Sequence, residues 1–228
     1  MRVLVLSLLA CAAHAQTPVE ACDPPAAIQA LSPERHSGVN LSESDRVAKI
    51  AKIREAKAQS PDDLFLNRWL IELQPKPQTG VLTAEFQEKL AHHPDDPRFL
   101  YLHARALVGK DTPSAIQSPQ KANAQEPRLA WPYLALAEIH SRAAFHDPAK
   151  VAEYLRGYHQ ACPANLEAFA HLNVIDDPRA LRELAAALRA QLQTATHPWQ
   201  LRYYSTLWAA EWRRPPSWSA RSRRLRMT

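Results

Sequence analysis

Prolines that precede an apolar, helix-like run recur at nearly even intervals along this 228-residue chain. They are separated by 33, 33, 36 and 35 residues and stand at Pro61, Pro94, Pro127, Pro163 and Pro198. A period near 34 residues that holds two short amphipathic runs is typical of stacked helical repeats. The period therefore predicts an all-α fold in which antiparallel helix-turn-helix units stack as an α-solenoid.

The scarcity of glycine supports a helical fold. The chain has only 4 glycines but 19 prolines, and 46% of its residues are apolar. A β-sandwich or a phosphate-binding loop needs more glycine, because tight turns and such loops require positive φ. The many prolines fit helices that are short and end often.

Pairs of aspartates adjoin the predicted helix starts. They lie at Asp62-Asp63, Asp95-Asp96 and Asp176-Asp177. Carboxylates at a helix N-terminus cap free N–H groups and interact favourably with the helix dipole. General acid–base catalysis would also require a cleft and a reacting partner. We therefore interpret these pairs as helix caps.

Residues 1–15 resemble a cleavable export signal. Arg2 precedes a short apolar run, and Ala13-His14-Ala15 is a cleavage motif that would leave Gln16 as the first residue. The run is too short for a permanent membrane anchor. The sequence thus predicts an exported protein, periplasmic or secreted. A lipoprotein anchored through Cys11 is an alternative that ranks below simple cleavage.

Cleavage would leave two cysteines, Cys22 and Cys162. In an oxidising compartment they could form a structural disulfide, or they could remain as idle thiols. A bridge over so long a loop could contribute a few kcal/mol to stability, of order 4 or more. Redox-active thiols rank lower, because neither cysteine belongs to a C-x-x-C motif.

The remaining chain divides into three parts. Residues 16–59 form an N-terminal extension with a lead-in helix, 60–212 carry the repeats, and 213–228 form a basic tail with six arginines and no acid. Subtracting these six charges from the net charge of +5 leaves −1 for the rest, so the sequence argues against nucleic acid as a partner. The tail is either a basic arm or, as we favour, an out-of-frame or truncated end.

The repeated units resemble the tetratricopeptide repeat (TPR) family. The match covers about residues 60–212, and its signature positions are Leu100, Ala104, Tyr133, Leu136, Ala137, Phe169, Leu172, Tyr204 and Leu207. Alanines early in the second helix of a unit and prolines near the end of a unit also recur. The resemblance implies a solenoid whose concave groove binds a peptide or protein surface, without catalysis.

The sequence predicts no catalytic, cofactor-binding or metal-binding residues. Its ten histidines form no H-x-x-x-H or H-E-x-x-H motif, and no G-x-S-x-G or Walker loop occurs. We therefore expect a scaffold with an unidentified protein or peptide partner. The alternative is the helical front portion of an exported thioredoxin-like thiol–disulfide oxidoreductase whose catalytic domain is missing from this chain.

Overall fold

The computed structural model describes residues 22–33, 41–74 and 79–193. The predicted signal, the fifth unit with Tyr204 and Leu207, and the basic tail lie outside these ranges. Within them the protein is all-α and contains no β-strand. The helices are α1 (Ala26–Gln29), α2 (Glu43–Gln59), α3 (Leu64–Leu73), α4 (Thr79–His92), α5 (Pro97–Leu107), α6 (Thr112–Gln125), α7 (Trp131–His140), α8 (Pro148–Ala161) and α9 (Pro178–Leu192).

Aspartate side chains start five of these helices. Asp63 accepts a hydrogen bond from the N–H of Leu66 at 2.9 Å, and Asp177 accepts two, from residues 179 and 180. Asp96, Asp111 and Asp147 cap their helices in the same way. Each carboxylate satisfies N–H groups that have no partner inside the helix. The second aspartate of each pair therefore caps its helix, as the sequence suggests.

The first helix of the fourth unit departs from the expected α-helical geometry. It is a 3-10 segment spanning Glu167–Val174. Four apolar residues here recur every three positions and are at most 1% exposed: Leu166, Phe169, Leu172 and Ile175. A 3-10 helix has three residues per turn, so it places all four on one line against the core. A second, shorter 3-10 segment covers Ala143–Phe145.

Alternate helices pack into one layer. Helix α3 contacts α5, α5 contacts α7, and α7 contacts the 3-10 segment Glu167–Val174. Helices α4, α6 and α8 each pack against members of this layer. We call α3, α5, α7 and that 3-10 segment the inner layer. It supplies much of the buried core, including Trp69, Leu102, Leu136 and Phe169.

One contact between the two helices of a unit occurs twice, one repeat apart. Lys89 Nζ lies 3.0 Å from the carbonyl oxygen of Pro61 and 2.7 Å from Asp62 Oδ1. Lys121 Nζ makes the same pair of contacts in the next unit, at 3.1 Å to the carbonyl oxygen of Pro94 and 2.8 Å to Asp95 Oδ1. The two units therefore hold their successive helices with the same chemistry.

The predicted repeat-signature residues serve packing. Leu100, Ala104, Leu136, Ala137, Phe169 and Leu172 are all buried. Tyr133 is half-buried and lies against Gly157 of α8. An ideal Cβ built at Gly157 would be 2.5 Å from Cδ1 of the Tyr133 ring, so glycine permits this close helix contact.

Gly157→Ala is therefore expected to destabilise the protein. The clash with Tyr133 should cost about 1–3 kcal/mol, while alanine's better helix propensity returns about 1 kcal/mol. Gly80→Ala in α4 is the matched control, because a Cβ there meets nothing within 4 Å. Urea unfolding should show a lower midpoint for Gly157→Ala and an unchanged or higher one for Gly80→Ala. Equal midpoints would contradict the proposed contact.

Candidate interaction site

A line of polar side chains crosses the inner layer at intervals of one repeat. Glu72, Arg105, Glu138 and His171 are each separated by 33 residues and lie on α3, α5, α7 and the 3-10 segment Glu167–Val174. Arg105 joins two neighbours, because its Nη2 lies 3.3 Å from Glu72 Oε1 and its Nη1 forms an ion pair with Glu138 Oε2. The first three of these positions thus carry charges of alternating sign.

Arg68 adds a second connection across the layer. It lies one turn before Glu72 on α3, and its Nε is 3.0 Å from Glu72 Oε1. Its Nη2 pairs with Glu167, which lies 99 residues further along the chain. We call Arg68, Glu72, Arg105, Glu138 and Glu167 the inner network. The first and fourth units therefore meet through one arginine.

The inner network is largely removed from water. The side chains of Arg68 and Glu72 are 5% and 4% exposed, whereas those of Glu138 and Glu167 are 19% and 20% exposed. A buried charge is tolerated only when it is paired and hydrogen-bonded. The network therefore has a closed end at α3 and a more accessible end at α7 and Glu167.

Aromatic rings enclose the arginine at the closed end. Arg68 Cζ lies 4.1 Å from the centroid of the Trp131 ring, within the range of a cation–π contact. Trp131 in turn meets Phe65 and Tyr158 edge to face, with centroids 5.5 and 5.8 Å apart. The buried Tyr158 hydroxyl has no hydrogen-bond partner among the described residues. Part of the surface of the inner layer is thus covered by the chain's own aromatic side chains.

Charge pairing controls the protonation of this cluster. Burial disfavours the charged form of Arg68, but Glu167 and Glu72 outweigh burial and raise its pKa well above the ordinary value. Burial would raise the pKa of Glu138, but Arg105 and His171 more than offset it and lower the pKa. These groups therefore stay charged at neutral pH, which suits electrostatic contacts more than proton transfer.

His171 should make stability depend on pH. Burial lowers its pKa below 6.5, with Glu138 and Glu167 opposing this effect and Arg105 adding to it. The unfolded chain therefore binds the proton first, and the free energy of unfolding should fall as the pH drops through about 6.5. His171→Gln should flatten this part of a profile measured by denaturant unfolding between pH 8 and 5. An equally steep profile would contradict the assignment.

The N-terminal segment reaches the end of α8. Cys22 and Cys162 are joined by a disulfide, with Cα atoms 5.5 Å apart. Asn165 Nδ2 donates a hydrogen bond to the carbonyl oxygen of Cys22 at 3.1 Å. At the other end of the segment, Lys49 Nζ on α2 donates to the carbonyl oxygen of Ser32 at 2.5 Å. The bridge spans 140 residues of sequence, so it ties the extension to the repeats.

Metal sites and membrane-spanning helices are both absent from the described part of the chain. Residues 22–33, 41–74 and 79–193 contain no group of three or more His, Cys, Asp or Glu side chains that could hold a metal ion. None of the helices within those ranges is long and apolar enough to cross a membrane. The feature with the most developed geometry is therefore the inner network.

Sequence reasoning missed the inner network but had a usable signal for it. Prolines and apolar residues indicated the repeat, while three members of the network, Glu72, Arg105 and Glu138, follow the same period in charged residues. The predicted site residues within the described ranges fall into two groups: the signature positions there pack against the core, and the two cysteines meet in a disulfide. No protein family model, curated protein or solved structure shows significant similarity to this chain.

Proposed function

We propose that this chain is an exported, TPR-like scaffold that binds another protein or a peptide and has no catalytic activity of its own. Its units would stack as an α-solenoid, with the inner layer on the concave side. The observation that carries the proposal is the inner network, which sets alternating charges at one repeat position across successive units. A row of charged groups on consecutive repeats suits recognition of an extended partner.

The accessible end of the inner network indicates the partner's chemistry. The network holds three carboxylates and two guanidinium groups, and its most exposed members are Glu138 and Glu167. An arriving Lys or Arg side chain would balance the excess negative charge. We therefore expect the bound segment to carry a cationic residue, with its specificity set by complementary charge.

Export is the second part of this proposal. It rests on the signal-like residues 1–15 and on the disulfide between Cys22 and Cys162. Structural disulfides form and persist in oxidising compartments such as the periplasm or the cell exterior. A fusion of residues 1–40 to a reporter active only after export would test this part independently of any partner.

Photo-crosslinking in cells tests the binding face. A photo-reactive amino acid is placed at Ser141, which lies one turn beyond Glu138 at the end of α7. The control position is Glu88, which is exposed on α4 outside the inner layer. We expect a discrete crosslinked partner from position 141 and none from position 88. A partner captured only from position 88 would overturn the proposed face.

A further inference from the structure

Residues 22–33 form a strap that crosses between the two ends of the described repeats. One end is fixed by the Cys22–Cys162 disulfide and by the hydrogen bond from Asn165 to the Cys22 carbonyl oxygen. The other end is fixed by Lys49 of α2, which donates to the carbonyl oxygen of Ser32. The strap therefore links the start of the fourth unit to the lead-in helix.

The strap covers part of the core beside the inner network. Ile28 and Leu31 are half-buried against the core cluster, and Pro33 is buried. Asp23 lies near enough to Tyr158 to act on it electrostatically, and Tyr158 packs edge to face on Trp131. The strap thus lies next to the aromatic rings that enclose Arg68. Its removal would uncover apolar surface at that end of the network.

The non-covalent hold on the strap is slight. Half of its twelve residues are exposed, and its only helix, α1, has four residues. So short a helix has no stability of its own, and ordering a segment costs backbone and side-chain entropy. A few hydrogen bonds, two half-buried aliphatic side chains and the buried Pro33 offset only part of that cost. The disulfide is therefore what keeps the strap in place.

The two cysteine residues differ in their exposure to solvent. Cys22 is half-buried, whereas Cys162 is only 2% exposed at the end of α8. In thiol–disulfide exchange the attacking thiolate must reach one sulfur atom directly, and access helps decide which. Because Cys22 is the more exposed of the two residues, we expect an incoming thiolate to attack its sulfur.

We propose that the Cys22–Cys162 disulfide is a redox latch, opened by a dithiol reductant that attacks Cys22 and so releases the strap. The first thiolate of the reductant bonds to Cys22 Sγ, the Cys22–Cys162 bond breaks, and Cys162 leaves as a thiolate that takes up a proton. The second thiol of the reductant then displaces Cys22, which also takes up a proton. Two electrons pass to the cysteine pair, and the dithiol becomes a disulfide.

The latch would regulate the face proposed above for partner binding. This consequence rests on the proposed function: Asn165 donates a hydrogen bond to the Cys22 carbonyl oxygen and accepts one from the N–H of Glu167, so release of the strap would alter the accessible end of the inner network. The latch itself needs no partner. It can therefore be tested on the free chain, and either proposal can fail without the other.

Amide hydrogen exchange on the oxidised and reduced chain is the first test. The amides of Ile28, Leu31 and Ser32 are hydrogen-bonded within the strap. On reduction with a phosphine they should lose their protection and exchange at rates near those of an unstructured peptide. The amides of α5–α8 should keep theirs, and Cys22→Ser should reproduce the pattern without reductant. Unchanged protection of the strap, or equal loss throughout α5–α8, would overturn the latch.

The site of attack is tested by trapping. A thioredoxin whose second active-site cysteine is replaced by serine is incubated with the oxidised chain, and the mixed disulfide is located by mass spectrometry. The latch predicts an adduct on Cys22 with Cys162 free. An adduct on Cys162, or a disulfide that gives no adduct while the chain stays folded, would contradict it.

Discussion

Replacing Arg68 with alanine is expected to lower the free energy of unfolding by about 3–5 kcal/mol, because the change leaves the buried Glu72 with only one of its two partners and removes the partner of Glu167. Arg68 pairs with both Glu72 and Glu167, and the Glu72 side chain is only 4% exposed. The substitution also removes the cation from the face of the Trp131 ring. A single change therefore cancels contacts that join the first and fourth units.

Arg156→Ala is the matched control for this prediction. Arg156 Nε lies 3.0 Å from Glu183 Oε2, but the two side chains are 34% and 56% exposed. Exposed pairs of this kind contribute roughly 0–1 kcal/mol. Urea unfolding of both variants should show a large loss for Arg68→Ala and a small one for Arg156→Ala. Similar losses would mean that water already reaches the inner network.

Trp131→Ala should be comparably damaging, with an expected loss of about 3–5 kcal/mol. Trp131 is 2% exposed and contacts Phe65, Arg68 and Tyr158, so its removal leaves a cavity at the centre of the aromatic group. Phe145→Ala serves as the control because Phe145 is 40% exposed. Thermal and urea unfolding should separate the two variants clearly. Equal effects would contradict the buried position of Trp131 at the centre of the aromatic group.

The two substitutions should also depend on each other. Arg68 and Trp131 are in contact, and contacting residues show non-additive effects of about 0.5–3 kcal/mol in a double-mutant cycle. We expect the double variant to lose less stability than the sum of the single variants. Strict additivity would show that the arginine–tryptophan contact contributes little.

Local signals in the sequence were enough to place most helices. Helices α6 and α8 show such signals at Asp111 and Asp147. In both cases an aspartate cap stands immediately before the helix, and proline lies in the first turn. Such signals act within a few residues, so they can be recognised without knowledge of the rest of the fold.

Contacts between distant units were harder to predict. The pair formed by Arg68 and Glu167 joins residues 99 positions apart, and no local pattern indicates it. On α2 the apolar side chains of Ile50 and Ile53 are buried, but Val47 is 55% exposed. Helix periodicity marks a face, but the neighbouring units decide how much of that face is covered.

Alternating charges on the inner layer constrain how such a chain could lengthen by gene duplication. Copying one 33-residue unit that contains Arg105 would set two arginines on adjacent helices between Glu72 and Glu138. Copying two consecutive units would keep the signs in alternation. Like charges in contact away from water are costly, so growth by pairs would preserve folding while growth by single units would need a compensating substitution. The inner network thus favours growth of the repeat array by an even number of units.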